Sequence, residues 1–171
     1  TSSILLDPDA VARDLNPLNP QKAAIQAARY VLQKQQEFLR SGQSFALETT
    51  LSSGGNLELI QAAKARGWVV RLLYVGLANP VLNVQRVASR VQAGGHDVPE
   101  TDILRRYQRS MVNLALAAEL VDLLSVHDNS ERTLRRVVLV KQSKLIRLSK
   151  HNGYSWWESA LESYLVQLDL L

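Results

Sequence analysis

Cysteine is absent from the 171 residues, which excludes a disulfide scaffold and thiol chemistry and fits a cytoplasmic protein. No apolar run approaches the roughly 20 residues that a membrane-spanning helix needs. The first residues, TSSILLDPD, do not form a signal peptide. We therefore expect a cytoplasmic protein with no membrane partner.

Several catalytic patterns are missing as well. No nucleophile-elbow sequence and no combination of serine, histidine and acid indicates a hydrolase. His127 and His151 have no spacing to other ligands that would predict a metal site. His96 follows Gly94-Gly95 and has two interpretations, a catalytic acid or the more common turn histidine that packs against its neighbours. Neither a hydrolase nor a metal centre built from histidines is therefore expected.

The composition is that of one folded domain. Hydrophobic residues make up 46% of the chain and the mean hydropathy is −0.09, which allows a sizeable core at this length. The formal net charge is +4 and the isoelectric point is about 9.6. This basic balance favours polyanionic partners, either nucleic acid or phosphorylated small molecules, and fits a merely basic surface equally well.

Strands alternate with helices along the chain. Apolar runs predict strands at 3–6, 45–47, 68–77, 123–126, 136–140 and 144–148. Helices are predicted at 8–14, 20–40, 57–66 and 156–171, with two arginine-rich helices on either side of Gly94-Gly95, the second ending near 120. The near-continuous apolar run at 68–77 indicates a buried parallel strand. The expected fold class is therefore α/β, with a mainly parallel sheet flanked by helices.

Polar residues follow three of the predicted strands. In parallel sheets, ligands bind beyond the carboxyl ends of the strands. We therefore expect these polar residues to converge on one edge of the sheet. They are Asp7, Asp9, Glu48, Thr50, Asp128 and Asn129.

Several of these residues also have an ordinary structural interpretation. Asp7 or Asp9 would cap the helix that follows the first strand. Glu48 ends an apolar strand, so its carboxylate must be solvated, paired with an arginine or hydrogen-bonded to a substrate. Thr50 is either a turn residue or a ligand contact. Near the C-terminus, Trp156 and the following tryptophan are expected to pack the last helix, with stacking on a base as the minor alternative.

Five arginines lie between residues 86 and 109, in the sequence RVASRVQAGGHDVPETDILRRYQR. Arg86 and Arg90 are four residues apart and share a helical face, while Arg105 and Arg109 point away from an apolar stripe in the second helix. A solvated charged surface is one explanation. Arginines around a flexible glycine turn also suit a mobile lid that closes over phosphate, because the guanidinium fork matches phosphate oxygens.

The segments SFALETTLS, LLYVGLANPVLNVQRVASRVQAGGHDVPETDILRRYQRSMVNL and HDNS resemble the zeta toxin family of P-loop kinases, and the likeness covers roughly residues 5–130. The resemblance implies a P-loop kinase fold, with ATP and Mg²⁺ as cofactors. It further implies a nucleotide-sugar substrate such as UDP-N-acetylglucosamine, toxicity within a toxin–antitoxin system, and an antitoxin protein as a partner. Nucleic acid is not among the partners that it implies.

The resemblance also assigns roles to single residues. Asp9, in Asp7-Pro8-Asp9, matches the catalytic aspartate and would accept the proton of the substrate hydroxyl. Glu48 and Thr50 match the substrate-binding glutamate and threonine. Pro8 stands where the family usually has a small or polar residue.

The resemblance assigns roles to the arginines of the proposed lid less precisely. Arg90 matches the arginine that reaches the ATP phosphates, where it would neutralise charge on the transferring group. A second lid arginine has three candidates, Arg86, Arg106 and Arg109. Asn129, in HDNS, is a candidate for contact with the nucleotide.

One family motif is missing from the chain. P-loop kinases hold the ATP phosphates with GxxGxGK followed by Ser or Thr, roughly twenty residues before the position of Asp9. Neither SSGG at 52–55 nor AGGH at 93–96 has the lysine. We expect the kinase domain at 1–130 to be N-terminally incomplete, with 131–171 as part of the same domain. The chain as given is expected to be inactive.

The expected function is ATP-dependent phosphoryl transfer to a hydroxyl of a small substrate. A catalytically inactive relative that binds a phosphorylated ligand or a protein partner is the first alternative. A basic module that binds RNA or a nucleotide through the arginine lid is the second, and it predicts RNA affinity that falls steeply with salt.

Overall fold

The structure is a computed structural model that describes residues 4–95, 97–149 and 155–168. The chain divides into two compact units, the first ending at Thr49 and the second beginning at Thr50. No helix in the described part of the chain is long and apolar enough to cross a membrane. The interpretations of His96 and His151, and the ends of the predicted elements at residues 3 and 169–171, lie outside the described residues.

The first unit is a parallel strand pair with two helices. Its elements are β1 (Ile4–Leu6), α1 (Pro8–Leu15), α2 (Pro20–Ser41) and β2 (Phe45–Leu47). Proline starts both helices, as expected from its fixed φ, and Gly42 ends α2 in the left-handed conformation at φ 76°. The strands pair in parallel with Leu6 opposite Leu47. Leu6, Val31 and Phe38 form the buried centre of the unit.

The second unit contains a four-stranded sheet. Its elements are α3 (Gly54–Lys64), β3 (Arg71–Gly76), α4 (Pro80–Gln92), α5 (Glu100–Ala118), β4 (Leu123–Asp128), β5 (Arg135–Lys141), β6 (Lys144–Leu148) and α6 (Trp156–Gln167). The strand order is β3-β4-β5-β6. The β3–β4 pair is parallel, and the other two pairs are antiparallel.

The expected fold class is confirmed, because parallel strand pairs lie among helices in a mixed α/β chain. The antiparallel pairs arise where β5 and β6 extend the sheet beyond β4. One face of the four-stranded sheet packs against α5 and α6, with Leu114, Leu124, Val126, Leu161 and Leu165 almost fully buried. The buried pair Trp156-Trp157 belongs to this core, which confirms the packing interpretation.

Two predicted elements differ from the structure. The buried strand predicted at 68–77 is shorter, Arg71–Gly76, and only alternate residues are buried: Tyr74 is 8% exposed, whereas Leu73 is 67% exposed. The prediction was wrong because β3 lies at the end of the strand order, with the core on one face. Helix α3 begins at Gly54 instead of 57, because the Ser53 hydroxyl accepts from the Gly55 amide at 3.2 Å and caps it.

Candidate functional site

In the first unit, the acidic residues gather at the carboxyl ends of β1 and β2. The Glu48 amide donates to the Leu6 carbonyl at 3.0 Å, so Glu48 follows directly on the strand pairing. The helix cap is Asp7, whose carboxylate accepts from the Asp9 amide at 2.8 Å. The Asp9 and Glu48 side chains are exposed and have no hydrogen bond or ion pair to another described residue. Capping therefore does not account for Asp9.

In the second unit, a cleft of about 280 Å³ opens beside the carboxyl end of β3. Arg90 of α4 and Arg106 of α5 both line it, so the structure brings these two predicted arginines together. The remaining wall is mostly apolar with a few polar groups: Thr50, Tyr74, Val75, Gly76, Leu77, Asn83, Val87, Val98, Ile103, Tyr107, Ser110 and Met111. A mostly apolar wall with a few convergent polar groups is typical of small-molecule sites.

The other arginines of the stretch lie elsewhere. Arg86 donates to the backbone carbonyl of Asn129. Arg109 lines a separate cavity of about 340 Å³ with Ser52 and Asn113 among its neighbours. Arg105 pairs with Asp102 at 2.6 Å on the surface of α5. Of the three candidates for the second lid arginine, Arg106 is the one that shares a cavity with Arg90.

Helix α4, which we call the lid helix, ends at the Gly94-Gly95 turn. The Gly95 amide donates to the Arg90 carbonyl at 2.9 Å and the Gly94 amide to the Val91 carbonyl at 2.9 Å, a Schellman arrangement. Gly94 has φ 90°. A Cβ on Gly95 would lie 2.7 Å from Cγ of Arg90. Glycine is thus required here to end the helix and to leave room for Arg90.

The lid helix is fixed at its base to the end of β4. The Ala78 amide donates to the Ser130 hydroxyl at 2.7 Å, and the Asn129 amide donates to the Gly76 carbonyl at 2.9 Å. The bond from Arg86 to the Asn129 carbonyl is the third link. Sequence reasoning missed this role of Ser130, although the Asp-Asn-Ser run after a strand is a turn signal. No residue of the lid helix is buried.

Asp128 is the last residue of β4, directly before Asn129 and Ser130, and it is 4% exposed. Its carboxylate accepts from the Trp156 indole at 3.0 Å, from Arg135 at 3.2 Å and from the amide and hydroxyl of Ser130. Burial alone raises the pKa of Asp128, but the hydrogen bonds from Ser130, Trp156 and Arg135 together hold that pKa below its ordinary value. Asp128 therefore joins β4 to α6 and faces inward, away from the edge at which it was predicted.

Acidification is expected to lower the stability of the protein through protonation of Asp128. Because its folded pKa lies below the ordinary value of about 3.9, its stabilisation is complete above that value and is lost as the pH falls further. Asp128→Asn should be less stable at neutral pH and should lose less additional stability between about pH 5 and pH 3. Urea midpoints across this range test it. Parallel losses in both proteins would show that Asp128 does not contribute to the acid sensitivity.

Two tyrosines shape the inner wall of the cleft. The hydroxyls of Tyr74 and Ser110 share a buried hydrogen bond of 2.8 Å. Burial raises the pKa of Tyr74, and the hydrogen bond with Ser110 offsets only part of that effect. The Tyr107 hydroxyl donates to the Leu77 carbonyl at 3.1 Å. Hydroxyl groups in fixed positions therefore border the two arginines.

These residues fit a phosphate group but not a complete ATP site. Arg90 and Arg106 supply forked cationic donors, whereas no lysine and no glycine-rich loop lines the cleft. Within the described ranges, no three histidine or acidic side chains lie close enough together to hold a metal ion. Two guanidinium groups in one cleft are chemically suited to bind phosphate oxygens.

Parallel strand pairs flanked by helices, with polar residues at the strand ends, define a mixed α/β chain of the P-loop kinase type. Residues 15–155 match the family model described as Zeta toxin, and the chain belongs to that family. It is 33% identical over 104 residues to an uncharacterized protein of Haemophilus influenzae, covering 61% of this chain and 74% of that protein. No solved structure matches. The family is kinase-like, which implies binding of nucleotide and of a small-molecule substrate.

Proposed function

We propose that this chain belongs to a kinase that transfers a phosphoryl group from ATP, with Mg²⁺, to a hydroxyl of a nucleotide sugar such as UDP-N-acetylglucosamine. The protein would act in the cytoplasm as the toxin of a toxin–antitoxin pair, with an antitoxin protein as its partner. The observation that supports this proposal is the position of Arg90 and Arg106 in one cleft beside the end of β3.

The cleft has the size and chemistry for part of such a substrate. Its volume of about 280 Å³ is at the small end for ligand sites and suits a phosphorylated fragment rather than a whole nucleotide sugar. Guanidinium groups from two different helices would bind phosphate oxygens from two directions. Closing them over the ligand would concentrate positive charge where negative charge develops during transfer.

In this proposal, Asp9 of the first unit is the general base. Asp7 satisfies the start of α1, which leaves the Asp9 carboxylate exposed and able to accept the proton of a substrate hydroxyl. Glu48, at the end of the neighbouring strand, would hydrogen-bond the substrate, and Thr50 would also contact it. The 171 residues contain no glycine–lysine phosphate loop, so the ATP-binding half of the reaction is not assigned to them.

Mass spectrometry of nucleotide-sugar pools, after expression of the complete gene, tests the proposal. We expect a new species heavier by one phosphate, and Asp9→Asn should reduce its formation roughly 10²- to 10⁴-fold because the general base is lost. Asp7→Asn is the matched control, since asparagine caps a helix as well as aspartate does. Unchanged product with Asp9→Asn would remove Asp9 from the mechanism, and a pool without any species heavier by one phosphate would contradict the kinase.

A second candidate is binding of a phosphorylated ligand without turnover. It is favoured by the absence from the chain of a lysine that follows a glycine-rich loop. In this case the same nucleotide-sugar pools would contain no species heavier by one phosphate. The purified chain would still bind the unmodified nucleotide sugar in calorimetry, through Arg90 and Arg106.

A further inference from the structure

The positive charge of this protein is concentrated outside the cleft. Residues 131–149, which include the β5–β6 hairpin, contain six lysines and arginines and one acidic residue, for a net charge of +5. The whole chain has a net charge of +4, so the remaining residues sum to −1. None of these six cations lines either of the two cavities described above. The largest local excess of positive charge therefore lies in and around the hairpin.

Strand register places four of the six cations on one face. Val138 and Val140 are buried and point into the core, so Leu139 and Lys141 point to the other face. The register shift between Val126 and His127 places Arg136 on that other face as well, opposite His127. Cross-strand partners share a face, and the pairs on this side are Lys141 with Lys144, Leu139 with Arg147, and His127 with Arg136. We call Arg136, Lys141, Lys144 and Arg147 the basic ribbon.

The basic ribbon is not neutralised within the protein. All four side chains are exposed, and none has a hydrogen bond or ion pair to another described residue. Arg135, in contrast, pairs with Asp128 at 3.2 Å and with Glu131 at 3.6 Å. Lys141 and Lys144 lie directly opposite each other, and like charges in that position destabilise a strand pair.

The turn that joins the strands is strained as well. Gln142 and Ser143 both have positive φ, 49° and 56°, as in a two-residue type I′ turn. Such turns strongly prefer Asn-Gly, because most residues are disfavoured in the left-handed region. Strained backbone and opposed like charges therefore coincide at the tip of one hairpin, and both cost stability.

Protection of a sheet edge explains only part of this pattern. Lysines on an edge strand prevent pairing with another chain, and β6 lies at one end of the strand order. That role accounts for Lys144 and Arg147. It does not account for Arg136 and Lys141, because β5 is an inner strand.

We propose that the basic ribbon binds the phosphodiester backbone of a nucleic acid. The β4 partners of Arg136 and Lys141 are four residues apart, which puts the two cations about 13 Å apart along the sheet, so the ribbon matches a row of phosphates rather than one. Residues 131–149 contain no aromatic side chain, so bases are not stacked and little sequence preference follows. This activity is separate from the proposed kinase reaction.

Fluorescence anisotropy with the whole chain and a short mixed-sequence duplex tests the proposal. Log affinity should fall linearly with log salt, with a slope of about −0.9 for each phosphate contacted. The triple variant Lys141→Gln, Lys144→Gln, Arg147→Gln should bind on the order of a hundredfold more weakly at about 0.1 M salt, and its slope should be smaller by about 0.9 for each cation removed.

Two controls make the result specific. Lys22→Gln, Arg29→Gln, Arg40→Gln removes the same charge from the exposed surface of α2 and should retain most of the affinity. Gln142→Asn with Ser143→Gly relieves the turn without changing charge and should bind like the parent chain. Equal losses in the two triple variants would overturn the proposal, and so would tighter binding of polyglutamate than of the duplex, which would indicate an acidic protein partner.

Discussion

Replacing Gly76 by alanine is expected to destabilise the second unit by roughly 3 kcal/mol or more. A Cβ at this position would lie 2.2 Å from the Trp156 ring, so the indole must move. Moving it disturbs the Trp156 contact with Tyr74 and removes its hydrogen bond to the buried Asp128 carboxylate. A lower urea midpoint, followed by tryptophan fluorescence, is the measurement.

Gly54→Ala is the matched control for this prediction. Gly54 lies in the first turn of α3, and an added Cβ would have no atom within 4 Å. Its stability should therefore be unchanged or slightly higher, since alanine favours helix over glycine. If Gly76→Ala has the stability of Gly54→Ala, Trp156 does not pack on Gly76.

Replacing Arg90 by alanine is expected to reduce turnover of the complete gene product about 10³-fold or more, the range typical of an arginine that stabilises transferring phosphate. Arg90 lines the cleft from the lid helix, and its loss leaves Arg106 as the one arginine of the stretch in the cleft wall. Steady-state rates on the nucleotide sugar measure the effect, and it should be largely in kcat.

Arg105→Ala provides the comparison. Arg105 belongs to the same basic stretch and pairs with Asp102 on the surface of α5, but it does not line the cleft. Its removal changes net charge equally and should leave the rate within a few-fold of the parent. Equal losses in the two variants would mean that overall charge, rather than the position of Arg90, controls the reaction.

The sequence predicted the bounds of helices and strands well where a single residue, such as proline or glycine, sets the boundary. Proline begins α1 and α2 as predicted, and Gly42 ends α2 with the left-handed conformation that glycine favours. The hairpin strands also lie where they were expected. These features depend on neighbours within a few residues, so the sequence alone specifies them.

The arginines show where sequence reasoning stops. Helical spacing places Arg86 and Arg90 on one face of α4, yet Arg86 binds a carbonyl after β4 while Arg90 lines the cleft. Arg106 and Arg109 likewise line different cavities although they are three residues apart. The surroundings of these arginines differ because strands and helices that are distant in sequence pack beside them. The helical period does not carry that information. The exposed side of β3 was missed for the same reason.

The absence of buried residues in the lid helix has a kinetic consequence. A helix held by its capped ends and a few surface contacts opens at a small cost in free energy, well below that of unfolding the unit. In the proposed site, a ligand held by Arg90 would leave at the rate at which the helix opens, so that its residence time would depend on the Ser130 and Arg86 anchors. Changes at these anchors should therefore alter the dissociation rate more than the association rate.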